Sequence, residues 1–230
     1  MTGEPALPEG EAKVRAVRSM FDAIAPRYDL VNRILTFRMD LRWRRRTVES
    51  LRLPAGSLVI DLAAGTGDLC NELQERGHRP IGVDLSWGML AHARTSAALV
   101  QADALRLPLT TGAAAGATCG FALRNLADLD AFFTELARVV RPGGRVALLE
   151  VAQPDNHLLR WGHSIYFERL VPRIGGLLSD AEAYRYLPRS VAYLPPDEAL
   201  LATLAGAGFA QVDRRLLSGG IAQLITGTRR

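Results

Sequence analysis

Several short apolar segments of the chain run into an acidic side chain. Asp61 ends the first of them, Asp84 ends the second and Asp103 follows the third. Asp61 opens the sequence Asp-Leu-Ala-Ala-Gly-Thr-Gly-Asp, in which Gly65 and Gly67 lack a Cβ atom and let a ligand lie directly against the backbone. Carboxylates at strand ends can accept hydrogen bonds from ribose hydroxyls and from an adenine amino group. These residues predict a binding site for a nucleotide-like cofactor.

The charge of this loop separates two classes of cofactor. The third glycine of Gly-x-Gly-x-x-Gly is missing, and Asp68 follows instead, where it would repel a dinucleotide pyrophosphate. S-adenosylmethionine carries an ammonium and a sulfonium group and no phosphate, so Asp61 and Asp68 would face positive charge. Two unit charges about 4 Å apart interact by about 4 kcal/mol at an effective dielectric of 20. The sequence therefore favours S-adenosylmethionine, with an NAD(P)-binding oxidoreductase as the alternative of different chemistry.

The elements that must position these residues follow an alternating pattern of strands and helices. A helix is indicated from Val14 to Ile24, a second from about residue 30 to 51, and later ones at Asp128–Val140 and Asp197–Ala207. The sequence predicts a doubly wound, mostly parallel α/β sheet with its ligand beyond the carboxyl ends of the strands. Its predicted strands are Leu58–Leu62, Pro80–Asp84, Leu99–Gln101, Thr118–Leu123, Arg145–Val151, Gln211–Leu217 and Ile221–Thr228.

Length and pattern together predict one domain. We expect residues 1–12 to form a disordered arm and residues 13–230 to form a single domain with an apolar helical cover at about 154–195. Turns are indicated at Pro142-Gly143-Gly144 and, as a hairpin, at Ser218-Gly219-Gly220.

Composition excludes several function classes. Hydrophobic residues make up 48% and charged residues 23% of the chain, which is typical of a globular protein. Cys70 and Cys119 are too far apart for a zinc cluster, so we expect no metal and a reducing cytoplasm. The net charge of +4 is too small to require a nucleic-acid partner. The basic cluster Arg42–Arg46 is interpreted as a solvated helix face.

Further motifs lie on both sides of the glycine loop. They are Phe21-Asp22, Ala25-Pro26-Arg27-Tyr28-Asp29-Leu30, Leu123-Arg124-Asn125, Arg141-Pro142-Gly143-Gly144-Arg145, Ala183-Tyr184-Arg185-Tyr186-Leu187 and Gly219-Gly220-Ile221. Together with the glycine loop they resemble the ubiquinone/menaquinone C-methyltransferase family, especially its demethylmenaquinone methyltransferases. The resemblance spans roughly Met20 to Gly227.

This resemblance implies a class I methyltransferase fold, a seven-stranded sheet with its last strand inserted antiparallel, and methylation of a ring carbon of a lipid quinol. Arg124 and Asn125 match the strand end that faces the acceptor. We expect Arg124 to stabilise a phenolate, since arginine stays protonated; a structural salt bridge to Asp128 or Asp130 is the alternative. Predicted cofactor contacts are Tyr28, Asp61, Ala63, Gly65, Gly67, Asp84, Leu85, Asp103 and Ala104.

The acceptor side departs from the family pattern, which leaves another aromatic or natural-product acceptor as an alternative substrate. Ala122 replaces a glycine, Leu194 and Ile225 replace histidines, and Ala114-Ala115 replaces Phe-Asp. His157 and His163 are candidate bases. The apolar stretch Leu158–Leu178 could line a pocket for a lipid tail or contact a membrane surface, with Arg160, Arg169 and Arg173 on phosphates. A homodimer is also compatible with the sequence.

Overall fold

The structure is a computed structural model that describes residues 9–154, 156, 160–161, 166 and 171–230. In this part of the chain no helix is both long enough and apolar enough to cross a lipid bilayer. The helices are α1 (Gly10–Ile24), α2 (Tyr28–Leu35), α3 (Met39–Leu51), α4 (Asp68–Glu75), α5 (Trp87–Ala91), α6 (Leu129–Val139), α7 (Val171–Leu178), α8 (Ala181–Ser190) and α9 (Asp197–Gly206). The strands are β1 (Leu58–Leu62), β2 (Arg79–Asp84), β3 (Ala98–Gln101), β4 (Ala114–Gly120), β5 (Val140–Val151), β6 (Phe209–Leu217) and β7 (Ala222–Arg229).

The strands form one sheet in the order β3-β2-β1-β4-β5-β7-β6 across the described residues. The first five strands are parallel, and β7 lies antiparallel between β5 and β6. Strand order reverses between β1 and β4, which is the switch point where doubly wound sheets bind ligands. The predicted fold class is therefore confirmed.

Two apolar layers cover the two faces of the sheet. On one face Phe132, Phe133 and Leu204 join the strand side chains in a fully buried core beneath α6 and α9. On the other face Trp43 and Leu73 pack α3 and α4 against β1, β5 and β7. Because both faces are covered, the central strands β1 and β4 are buried nearly throughout, as is typical of parallel sheets.

The fourth strand lies earlier than predicted. The sequence places it at Thr118–Leu123, and the structure places it at Ala114–Gly120. Phe121 adopts a left-handed φ of +59°, which ends the strand. The alanine-rich start has low β propensity, yet a Cβ atom on Gly116 would lie 2.7 Å from the Arg145 carbonyl oxygen. Close packing at the centre of the sheet, rather than propensity, sets this strand.

The second predicted helix is also two helices rather than one. Phe37 and Arg38 have φ values of +49° and +61°, so the chain turns between α2 and α3. The Thr36 hydroxyl lies 2.7 Å from the Asp40 carboxylate and helps to hold this turn.

At the N-terminus α1 begins at Gly10, so residues 10–12 of the predicted arm are helical. Helices α7 and α8 lie in the predicted cover. Most of residues 158–170 lie outside the described residues, and so do the two candidate bases, His157 and His163. Pro142-Gly143-Gly144, predicted as a turn before the fifth strand, lies within β5 instead, at an irregularity where the pairing with β4 jumps from Ala114–Val140 to Gly116–Arg145.

Candidate active site

A cleft lies at the carboxyl ends of β1 to β4, beneath α1. Its volume is about 840 Å³, including the part open to solvent. Most of its wall is apolar, and Asp84 and Asp103 are the acidic side chains on it. The predicted residues that line it are Tyr28, Ala63, Gly65, Asp84, Leu85, Asp103, Ala104 and Asn125. Asp61, Gly67 and Arg124 are not among the residues that line it.

The glycine loop after β1 is held in a left-handed conformation. Ala63, Gly65 and Gly67 have φ values of +52°, +57° and +91°. A Cβ atom on Gly65 would meet nothing within 4 Å, which leaves space for a ligand against the backbone. A Cβ atom on Gly67 would lie 2.6 Å from the Thr95 side chain. Because Gly67 has no Cβ atom, the loop can pack closely against Thr95. Because Gly65 has none, the loop backbone at that position is accessible from the cleft.

Asp84 is fixed by backbone donors. Its Oδ2 accepts from the Gly65 N–H at 2.7 Å, and its Oδ1 accepts from the Ser86 N–H at 2.8 Å. Burial raises the pKa of Asp84 above its ordinary value, although both of these hydrogen bonds act in the opposite direction. The Gly65 amide is thus already paired with a carboxylate, which makes the loop a poor site for a pyrophosphate and a good one for ribose hydroxyls.

Asp103 is the second acidic side chain on the cleft wall. Its Oδ1 accepts from the Leu105 N–H at 2.9 Å, a short local contact that orients the carboxylate. Ala102 and Ala104 line the cleft on either side of it and leave room for a flat ring.

Asp61 lies beneath the loop rather than on the cleft wall. It is fully buried, accepts from the Thr118 hydroxyl at 2.7 Å and lies 3.6 Å from the Cys70 Sγ. Burial raises the pKa of Asp61 to about 7. Its direct contact with a cofactor stays a prediction, and its place in the structure is at the junction of β1, β4 and α4.

Asp68 does not face the cleft, contrary to the sequence-based expectation. Arg33 donates to its Oδ1 at 2.7 Å, and Arg44 lies 3.3 Å from its Oδ2. Both guanidinium groups also pair with buried Asp40. The two cations from α2 and α3 compensate the charges of Asp68 and Asp40 together, so Asp68 is not the free carboxylate beside the cofactor that the sequence predicted.

The same contacts correct the interpretation of the basic cluster. Arg44 is buried, with 8% of its surface exposed, and belongs to the network beneath the glycine loop. Arg45 lies 3.8 Å from Glu72 of α4. The cluster is therefore not one solvated face, because consecutive residues of a helix point in different directions.

Arg124 pairs with a residue that the sequence analysis did not single out. Its Nη1 donates to the carboxylate of Glu150, which is fully buried at the end of β5, and its backbone N–H donates to the same carboxylate at 3.2 Å. Its Nε donates to the Ser190 hydroxyl at 3.1 Å. The structural salt bridge that was the alternative for Arg124 is therefore present, but its partner is Glu150 rather than Asp128 or Asp130; Asp128 instead caps α6 through the Ala131 N–H.

Glu150 could have been recognised from the pattern used for Asp61 and Asp84. It too follows a run of apolar residues at the end of a strand. Burying a charged residue in such a run is costly unless the charge is paired. A glutamate at this position therefore indicates that a cationic partner lies nearby.

Asn125 joins the cleft to the helical cover. It lines the cleft, and its Oδ1 accepts from the Tyr186 hydroxyl of α8 at 3.2 Å. Burial raises the pKa of Tyr186 to about 12. Tyr186 belongs to a motif that carried the family resemblance, but its contact with Asn125 joins segments about 60 residues apart and could not be read from spacing.

Helix α1 closes the cleft from above, a role that the sequence analysis missed. Val14, Val17 and Phe21 line the cleft. Lys13, the only lysine of the chain, donates to the Leu126 carbonyl at 2.7 Å and lies 3.6 Å from the centre of the Tyr193 ring. Burial lowers the pKa of this lysine to about 8.

At its other end α1 is anchored to the loop after β2. The Asp22 Oδ1 accepts from the Ser86 hydroxyl at 2.6 Å and from the Gly88 N–H at 2.8 Å. A Cβ atom on Gly88 would lie 2.7 Å from the Asp22 Cα, so a glycine is needed for this approach. Tyr28 packs edge-on against Phe21, with ring centres 6.0 Å apart, and completes the wall.

These residues fit S-adenosylmethionine. The wall offers two fixed carboxylates to a ribose and an adenine, the open backbone of Gly65, and apolar surface for the rest of the cofactor. No three His, Cys, Asp or Glu side chains lie close enough to hold a metal ion in the described part of the chain.

Solved structures share this fold. A SAM-dependent methyltransferase from Thermotoga maritima superposes with a TM-score of 0.66, covering 93% of this chain and 99% of its own at 18% identity. A phosphoethanolamine N-methyltransferase from Haemonchus contortus, solved in complex with S-adenosyl-L-methionine, superposes with a TM-score of 0.60 at 13% identity, over 81% of this chain and 52% of its own. The fold and the acidic cleft define a class I methyltransferase that uses S-adenosylmethionine.

Sequence comparison identifies the family within this class of methyltransferases. The profile of the ubiE/COQ5 methyltransferase family matches residues 9–229, and the chain belongs to that family. It is 45% identical to a demethylmenaquinone methyltransferase of Thermus thermophilus over 91% of this chain and all of that protein. It is 41% identical to a ubiquinone/menaquinone biosynthesis C-methyltransferase of Syntrophotalea carbinolica, over 92% and 93% of the two chains. These relatives do not support the oxidoreductase alternative.

Proposed function

We propose that this methyltransferase acts on a ring carbon of a reduced demethylmenaquinone-type quinol. The relatives named demethylmenaquinone methyltransferase match almost the whole chain, which supports this acceptor. In the structure the observation that carries the proposal is Asn125, a neutral polar side chain on the wall of a mostly apolar cleft that the Tyr186 hydroxyl holds in place.

S-adenosylmethionine supplies an electrophilic methyl group when bound. The acceptor carbon becomes nucleophilic when a neighbouring phenol of the quinol loses its proton, so the protein must stabilise a phenolate and exclude water. Tyr186, with its raised pKa, keeps its proton at neutral pH and donates it to the Asn125 Oδ1. The Asn125 amide nitrogen, oriented in this way, is the neutral donor for such an oxygen.

Arg124 takes a different role from the predicted phenolate contact. Its charge is balanced by Glu150, and it is not among the residues that line the cleft. We assign it to positioning: one guanidinium joins the end of β5, through Glu150, to the end of α8, through Ser190. It thereby fixes both Asn125, its neighbour in the chain, and Tyr186, on the same helix as Ser190.

The cofactor contacts also stay part of this proposal. Asp84 would hold the ribose, Asp103 the adenine amino group, and the loop from Ala63 to Gly65 the remainder of the cofactor. The lipid acceptor implies contact with a membrane surface. The homodimer stays a prediction that light scattering on the purified protein can check.

The test is turnover with defined acceptors. The purified protein is incubated with methyl-labelled S-adenosylmethionine and chemically reduced demethylmenaquinone of short tail, beside a panel of soluble phenols and catechols. We expect label in the menaquinol product and none in the panel. Transfer to the soluble phenols without transfer to the quinol would support the alternative aromatic acceptor instead.

A further inference from the structure

The outer face of α2 carries apolar side chains that are left in solvent. Leu30 is 59% exposed and Ile34 is 41% exposed, one helical turn apart, and Phe37 in the following turn is 71% exposed. Val31 and Leu35 on the inner side of the same helix are buried. Residues four apart lie on one face of a helix, so Leu30 and Ile34 continue into Phe37 as one surface.

The turn that presents Phe37 is strained. Phe37 and Arg38 are consecutive non-glycine residues with positive φ, a conformation that is costly for bulky side chains. Tyr166 packs against the Phe37 ring, with centres 5.9 Å apart, and its hydroxyl donates to the Leu35 carbonyl at 2.6 Å. The exposed ring is therefore held in place by specific contacts.

A row of cationic side chains begins beside Phe37. Arg38, just before α3, and Arg42 and Arg46 within α3 recur every fourth residue and are exposed. None of the three has an acidic partner among the residues that the structure describes, whereas Arg44 and Arg45 between them do. We call Leu30, Ile34, Phe37, Arg38, Arg42 and Arg46 together the docking face.

We propose that the docking face binds the surface of a bilayer that contains anionic phospholipids. Apolar side chains beside exposed guanidinium groups match such a surface, because the former enter the acyl region and the latter contact phosphates. The inference rests on the proposed function, since a quinol with a lipid tail resides in the bilayer. Helix α2 carries both Tyr28 of the cleft wall and Leu30 of the docking face, which places the cleft beside the lipid.

This surface differs from the contact predicted at Leu158–Leu178, part of which lies outside the described residues. It also gives a role to Arg42 and Arg46 of the basic cluster, which lie outside the network around Asp68 and are exposed.

Vesicle flotation tests the docking face. The full chain is mixed with vesicles of phosphatidylcholine alone or with added phosphatidylglycerol, and binding is measured at increasing salt. We expect binding only to the anionic vesicles, a loss of about tenfold or more for Ile34→Ser/Phe37→Ser, and weaker salt dependence for Arg38→Gln/Arg42→Gln. The matched apolar control is Leu216→Ser on the edge strand β6. The matched cationic control is Arg79→Gln/Arg141→Gln, at the amino ends of β2 and β5. Both controls should bind the vesicles like the wild type.

Turnover measurements distinguish the docking face from the proposed function on which it rests. With a short-tailed, water-soluble quinol the docking variants should keep wild-type kcat, whereas with a long-tailed quinol embedded in anionic vesicles their kcat/KM should fall about fivefold or more. Failure of the wild type to float, or equal flotation by all variants, would overturn the docking face. Light scattering that shows Ile34→Ser/Phe37→Ser to dissociate a dimer, without an effect on flotation, would also overturn it. Flotation with no turnover on either quinol would refute the proposed function alone.

Discussion

The cofactor side and the acceptor side of the cleft hold their polar groups by different means. Asp84 and Asp103 on the cofactor side are oriented by backbone N–H groups, most of them within two residues in the chain. On the acceptor side Arg124 depends on Glu150 and Ser190, and Asn125 on Tyr186, all from distant segments. The first arrangement is local and rigid, whereas the second exists only when several elements pack together. Substitutions on the acceptor side should therefore damage folding as well as activity.

The largest effect is expected from breaking the buried pair. Arg124→Met leaves the carboxylate of Glu150 buried without its cation, which costs about 3–5 kcal/mol of unfolding free energy. The double variant Arg124→Met/Glu150→Gln should recover most of that stability, yet turnover should stay low because Ser190 and the end of α8 lose their tether. Urea unfolding and steady-state kinetics measure the two effects. Full turnover in the double variant would show that Arg124 has no positioning role.

Asp61 gives a stability effect of the next size with a defined pH dependence. Its pKa is raised to about 7 in the folded protein from the ordinary value of 3.8, so the folded state binds more protons between those values. The free energy of unfolding should thus fall as pH rises from about 4 to about 7, by on the order of 2–4 kcal/mol. Asp61→Asn should remove this slope in urea titrations at a series of pH values. A wild-type slope that the variant retains would contradict the assignment.

Asp84 should affect binding rather than folding. Asp84→Ala removes the carboxylate that is proposed to face the ribose, and the affinity for S-adenosylhomocysteine should fall about 100-fold or more, because each hydrogen bond to a charged group contributes about 1.5–3 kcal/mol. Calorimetry measures the affinity. Glu75→Ala, which removes an exposed carboxylate from the end of α4, is the matched control and should bind like the wild type. Equal affinity for both variants would exclude Asp84 from the cofactor site.

The smallest effect is expected at the contact that joins the two sides. Lys13 holds α1 to the Leu126 carbonyl and to Tyr193, so Lys13→Met should loosen the cover of the cleft and weaken cofactor binding by about five- to tenfold. Arg15→Met is a matched control, because Arg15 is an exposed cation on the same helix. Similar affinities of the two variants would show that Lys13 does not close the cleft.

Much of the cofactor side could be predicted from sequence because its signals are local. The glycine loop, Asp84 and Asp103 each stand where a strand ends, and the alternation of strands and helices sets the order of the sheet. The prediction failed where contacts between distant segments determine a side chain's partner. Arg44 of α3 pairs with Asp68 of α4, and Glu150 pairs with Arg124 from the neighbouring strand. No spacing rule identifies which of several nearby charges will meet. The turn at Phe37 was missed for a similar reason, since tertiary packing offsets its local strain.

The most direct test of the proposed reaction follows the methyl group itself. The protein is given S-adenosylmethionine with a ¹³C-labelled methyl group and reduced demethylmenaquinone, and the product is examined by NMR. We predict a single labelled methyl on a ring carbon of the quinone, with Asn125→Ala and Tyr186→Phe slowing its formation while cofactor affinity is unchanged. Label on a phenol oxygen, or no transfer to the quinol at all, would contradict the assignment of this chain as a quinol C-methyltransferase.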